Sequence, residues 1–90
     1  MPKLTQSPRM AADIRRVARR GADLTALDAA LTLLRDGDDV PSSYRDHALQ
    51  GRWGGCREFH IEDDWLLIYR VATKTGDIMA IRTGTHEDLF

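Results

Sequence analysis

Three histidines, His47, His60 and His86, lie in the second half of the chain, each beside a turn, a glycine or a carboxylate. Imidazole titrates unperturbed near pH ~6.5, so it can both take and give a proton around neutrality. Arg82 stands four residues before His86. Two proton-transfer groups and a cation are what cleavage of RNA by internal attack requires. One group removes the proton of a ribose 2′-hydroxyl. An arginine stabilises charge on the phosphorus oxygens, and a second group protonates the departing 5′-oxygen. Arg82 and His86 could supply the cation and the acid.

The same residues permit plainer readings. A histidine near a strand end is usually a surface or hydrogen-bonded residue. The three histidines with Asp64 could instead hold a metal, but their spacings of 13 and 26 residues match no short ligand motif such as H-E-x-x-H. Tryptophans such as Trp53 and Trp65 are more often core than base-stacking platforms, and Tyr69 fits a buried strand. The chain shows no phosphate-cradling loop, no nucleophile elbow and no Cys/His pair at useful spacing.

The elements that would carry these groups are legible. In Arg57 to Tyr69, Phe59 and Ile61 alternate with Glu58, His60 and Glu62, which predicts a half-buried strand. A tight turn at Glu62-Asp63-Asp64 leads into Trp65 to Val71, apolar at nearly every position, as in a strand covered on both sides. A third strand is expected over about residues 77–83, after a turn at Thr73-Lys74-Thr75-Gly76. Upstream, Ser7-Pro8 is a helix start, and Met10, Ile14, Val17 and Ala18 follow at helical spacing. A second helix begins near Asp23 or Thr25. Its Leu24, Leu27, Leu31 and Leu34 form a seam for the first, and it ends at Gly37. Lys3 to Gln6 suits a short edge strand. Residues 36–43 read as a loop, residues 44–55 as an ordered connection, and Thr85 can cap a last helical turn. The expected fold is α+β: an antiparallel helical hairpin packed on the Phe59/Ile61 face of a small antiparallel sheet, with His60 on the other, partly open face.

Composition bounds the class. Ninety residues, 42% hydrophobic and 30% charged, suit one small soluble domain over residues 1–90. No apolar run approaches the ~18 residues of a membrane span, and no signal peptide is visible. Cys56 is the single cysteine, which points to a reducing cytoplasm. The net charge of −1 is uneven: residues 1–20 hold six basic residues against Asp13 alone. That basic element can approach a polyanion, although its arginines also fit a solvated face.

Taken together, Tyr44-Arg-Asp-His47-Ala-Leu-Gln-Gly51, Trp53, Gly55-Cys-Arg57, His60-Ile-Glu-Asp-Asp64-Trp65-Leu-Leu-Ile-Tyr69 and Arg82-Thr-Gly-Thr-His86-Glu-Asp-Leu-Phe90 closely resemble the YafQ branch of the RelE-like toxins. The resemblance covers residues 44–90, and the helical hairpin upstream has the right length and position. It implies the toxin half of a bacterial type II toxin–antitoxin pair, a ribosome-dependent endoribonuclease that cuts mRNA through the sugar's own 2′-hydroxyl without metal or cofactor. By position it assigns His47, His60, Asp64, Arg82 and His86 to the catalytic set. Trp65 and Phe90 would shape the site and support the RNA, and Arg9, Arg16 and Arg20 would touch ribosomal RNA. His86 would be the acid, Arg82 the phosphate holder, and the base one of His60, His47 or Asp64. The implied partners are the ribosome, mRNA and a DinJ- or RelB-like antitoxin, with operator DNA only as the toxin–antitoxin complex. Departures are Ala48 and Asp63, where the family often has proline, and a pI of about 6.3 where relatives are usually basic. The rival reading is a binding module of the same fold without nuclease chemistry.

Overall fold

Local signals set the first two helices. The Ser7 hydroxyl accepts the Met10 N–H, and Pro8 opens helix α1, Pro8–Arg19, where its missing N–H costs no bond. Asp23 caps α2, Leu24–Asp36, by accepting the Thr25 N–H, and Gly37 closes it in the left-handed conformation at φ 73°. The computed structural model describes residues 3–37 and 39–90, so the loop read over residues 36–43 is described except at Asp38. Among the described residues no helix is long and apolar enough to cross a membrane.

The strands are β1 (Leu4–Gln6), β2 (His47–Ala48), β3 (Arg57–Glu62), β4 (Trp65–Val71) and β5 (Ile78–Gly84), and a four-residue helix α3, His86–Leu89, follows. They form one sheet in the order β1-β5-β4-β3-β2. The expected hairpins are antiparallel, but β1 runs parallel to β5, so the sheet is mixed. Pairing continues past β1, where the Ser7 N–H donates to the Ala80 carbonyl at 2.9 Å and ties the start of α1 to the β5 edge. The connection over residues 44–55 contributes β2 and a 3-10 turn at Gly51–Trp53.

The alternation read in β3 sorts the two sides of the sheet. Phe59, Leu67, Tyr69 and Ala80 are buried with Met10, Val17, Leu27, Ala30, Leu31 and Leu34 on the helix side. Helix α1 packs on β5, while α2 lies against β1 and β3. Leu24, expected on the helical seam, is 42% exposed; the buried stripe of α2 starts at Leu27. The other side is only partly open. Cys56, Leu66, Ile68 and Leu89 form a second cluster there with Leu49, Trp53 and Ile81. A bulge in β5 makes this possible: Arg82 pairs with Ile68 and Ala80 with Tyr69, leaving Ile81 as the extra residue. Ile81 and Arg82 therefore both belong to the Ile68 side.

One carboxylate joins helix to sheet. Asp13 is 2% exposed. Its Oδ2 accepts from Arg82 Nε at 2.6 Å and from the Thr83 N–H at 3.1 Å, and its Oδ1 accepts from Arg16 at 2.7 Å. Burial alone would raise its pKa. The bonds from Arg82 and Thr83 and the charges of Arg82 and Arg16 outweigh burial and hold it below the ordinary carboxylate value. A second carboxylate, Asp88, closes the other end. It takes two bonds from Arg20, at 2.7 and 3.0 Å, and completes a capping box with Thr85. Its pKa is well below the ordinary carboxylate range, chiefly through Arg20. Gly84 makes room for it, since a Cβ there would stand 2.8 Å from Asp88 Oδ2.

Asp13→Ala should lower the unfolding free energy by ~3 kcal/mol, because it leaves the largely covered Arg82 guanidinium without its carboxylate. A urea melt reads this, and an unchanged midpoint would contradict the clamp. Both carboxyls are depressed on folding, so their stabilisation is complete above the unfolded value near pH ~4 and is lost as pH falls through the lower folded values. The wild-type urea midpoint should drop on acidification below about pH 4, and Asp13→Asn should show a smaller drop.

Candidate active site

His60 sits mid-strand on β3, on the side away from the helices, half-buried between two other imidazoles. Its ring centroid is 6.5 Å from that of His47 and 5.9 Å from that of His86. Beyond His86 the ring of Phe90 stands at 6.3 Å, and Phe90 is 6.3 Å from Trp53. Residues spread over some forty positions thus form a line of neighbouring rings.

Each imidazole is held differently. His86 opens α3, whose Thr85 cap fixes the direction in which the chain leaves β5. Asp64, in the β3–β4 turn, accepts from the His86 backbone N–H at 3.1 Å and lies 2.9 Å from its Nδ1. The backbone bond, then the imidazole bond, holds the Asp64 pKa below its ordinary value. A carboxylate there can only accept, so Nδ1 carries hydrogen and Nε2 is left without it. His60 Nδ1 lies 3.3 Å from the Tyr44 carbonyl, so by the same logic its Nε2 is also left over. His47 has both nitrogens engaged. Nδ1 is 2.9 Å from the Arg45 carbonyl, and Nε2 is 3.2 Å from Glu58 Oε2.

The His47 segment is anchored from behind. Arg45 takes a positive φ of 55°, uncommon for a residue with a Cβ. Asp46 accepts from Arg57 Nε at 2.7 Å and from the Tyr69 hydroxyl in a short bond. Burial, then Asp46, pushes the Tyr69 phenol well above its ordinary pKa, so it stays a donor.

The remaining residues singled out from sequence are placed as follows. Arg82 spends Nε and one terminal nitrogen on Asp13, and its side chain is 11% exposed. Phe90 is 60% exposed at the end of the ring line. Trp65 is elsewhere: it is buried in the helix-side core, and its indole N–H donates to Thr83 Oγ1 at 2.9 Å. Any effect of Trp65 on a substrate passes through the strand behind it. Arg16 and Arg20 turn toward Asp13 and Asp88 rather than outward, whereas Arg9, one turn before Asp13 on the same face of α1, is exposed. Among the described residues no group of three or more His, Cys, Asp or Glu is placed to hold a metal ion.

Sequence reasoning passed over Glu58. It is 4% exposed, faces His47 across the β2–β3 pair, and its Oε1 has no hydrogen-bond partner. The signal was present, because period-2 alternation puts Glu58 on the same side as His60. Asp13 and Asp46 carried no such signal. Their partners Arg82 and Tyr69 lie 69 and 23 residues away.

Comparison with known proteins bears on this arrangement. The family model described as the bacterial toxin of type II toxin–antitoxin systems, YafQ, matches residues 2–90. The chain is 40% identical over 79 residues to the mRNA interferase toxin YafQ of Escherichia coli, covering 87% of this chain and 84% of that protein. The crystal structure of E. coli YafQ superposes with a TM-score of 0.90 at 34% identity, over 100% of this chain and 99% of the other. The toxin chain of the E. coli DinJ–YafQ complex gives 0.89 at 37% identity, over 99% and 97%. On the match along nearly its whole length, the chain belongs to the YafQ family of toxins from bacterial type II toxin–antitoxin systems.

Proposed function

We propose that this chain is an mRNA interferase, a ribosome-dependent endoribonuclease of the cytoplasm acting as a single domain over residues 1–90. The observation that carries the reading is the pair His60 and His86. Their rings are 5.9 Å apart, and each is hydrogen-bonded through Nδ1 so that Nε2 is available. Two rings so spaced can reach different oxygens of one phosphodiester, which acid–base catalysis of internal attack needs. His60 takes the proton of the 2′-hydroxyl. His86, oriented by Asp64, protonates the departing 5′-oxygen. His47, with both nitrogens engaged, acts by holding its neighbour and the local charge in place, and Glu58 holds His47. Arg82, pinned by Asp13, contributes a fixed cation beside the phosphate. Exposed Phe90 offers a face to a base. Activity through the sugar's own hydroxyl assigns no step to a metal or cofactor.

The contacts to ribosomal RNA expected of Arg9, Arg16 and Arg20 divide in this reading. Arg16 and Arg20 are neutralised by carboxylates, so Arg9 and the exposed Arg15 and Arg19 carry the free positive charge of α1. Phosphate contacts of this kind position without reading sequence. The likeness to the DinJ–YafQ complex supports a DinJ- or RelB-like antitoxin as the silencing partner, with operator DNA bound only by the joint complex.

In a cell-free translation system the purified protein should cut ribosome-bound message. His86→Ala should slow cutting by ~10²–10⁴-fold, mainly in kcat, and a 2′-deoxy sugar at the cut nucleotide should block it. Unimpaired cleavage by His86→Ala would reject the acid assignment. Tight binding to another protein with no RNA cut would favour a binding module of the same fold. His60→Ala should cost more than His47→Ala, and the reverse order would move the base to His47.

A further inference from the structure

A groove of about 300 Å³ opens beside the line of rings, between the start of α1, the turn at Gly51–Trp53 and the end of the sheet. Arg9, Arg52 and Arg82 line it together with Trp53, Ile81 and Leu89. Asp13 matches the charge of Arg82, but among the described residues no carboxylate pairs with Arg9 or Arg52. Guanidiniums gathered around an indole and two aliphatic side chains suit a ligand that is anionic at one end and flat and apolar at the other. Guanidinium binds phosphate oxygens in a fork, and indole accepts any base on its face.

The groove is continuous with the proton-transfer pair. Trp53 stands 6.3 Å from Phe90 at an interplanar angle of 75°, and Phe90 stands 6.3 Å from His86. His86 serves the departing 5′-oxygen in the reading above. The path from His86 past Phe90 to Trp53 therefore runs along the leaving side of the cut bond. We infer that this groove is a nucleotide subsite for the message strand immediately 3′ of the cut. The base lies on Trp53, with the Phe90 ring nearly perpendicular beside it, and the next phosphate lies on Arg9 and Arg52. Phosphates of ribosomal RNA would also attract these arginines, but continuity with the His86 end of the site favours the strand being cut. The inference rests on the nuclease reading.

The test uses ribosomes programmed with two messages. One ends with a 3′-hydroxyl on the first nucleotide beyond the cut, and the other continues for several nucleotides. Extension should raise kcat/KM of the wild type by about tenfold, and Arg9→Ala/Arg52→Ala should lose that gain. On the longer message the double variant should also show a log–log salt slope shallower by about one to two. The two arginines are exposed, so the fold should survive, and a urea melt matching wild type verifies it. The same extension gain in variant and wild type overturns the subsite. So does a loss in the variant that is independent of message length, which would assign the arginines to ribosomal RNA. If His86→Ala abolishes cutting while the arginine variant behaves as wild type, the nuclease stands and the subsite falls. If the wild type cuts neither message, both readings fall.

Discussion

The structure turns on a carboxylate removed from water. Asp13, on a helix otherwise dominated by basic residues, is surrounded by Arg82, Arg16 and the Thr83 N–H. A buried carboxylate without such donors would cost several kcal/mol or take up a proton, so α1 has few places to sit other than against β5. The same contact orients the Arg82 guanidinium. Through Arg16 and its 3.8 Å approach to Asp88, it extends to the helix that bears His86. A cation, a strand end and an imidazole are thereby referred to one point.

Around that point the sheet divides labour by side. Strand β3 contributes Phe59 to the helix-side core and Glu58 and His60 to the other side, within a few residues. A chain of 90 residues has little core to spare, and this side is built economically. A small apolar cluster of Cys56, Leu66, Ile68 and Leu89 supports the rings from below. The Asp46 contacts to Tyr69 and Arg57 hold the His47 segment from the rim. The bulge at Ile81 lets two successive β5 residues serve that side.

Much of this was readable in advance wherever the cause is local. Alternation in Arg57 to Glu62 named the side on which His60 lies, Ser7-Pro8 and Gly37 marked helix ends, and Gly76 lies in the β4–β5 connection. What escaped was non-local. The parallel pairing of β1 with β5 joins residues more than seventy positions apart, and nothing in a three-residue strand announces its direction. Arg16 and Arg20 read as a solvated face because periodicity sorts apolar from polar and is silent on which polar groups meet a carboxylate across the fold. Trp65 read as core more readily than as platform, but its partner Thr83, 18 residues on, was not legible.

By itself the sequence determined the element types, the side of β3 that bears an imidazole, and a set of acid–base groups dense enough to suggest a site. Those follow from backbone periodicity and intrinsic pKa, which belong to residues and their near neighbours. Tertiary structure alone decided which nitrogens remain free, which arginines are spent on Asp13 and Asp88, and which two rings stand 5.9 Å apart. Those depend on hydrogen bonds between distant segments, and such a bond has no address in a linear chain until packing brings donor and acceptor within reach.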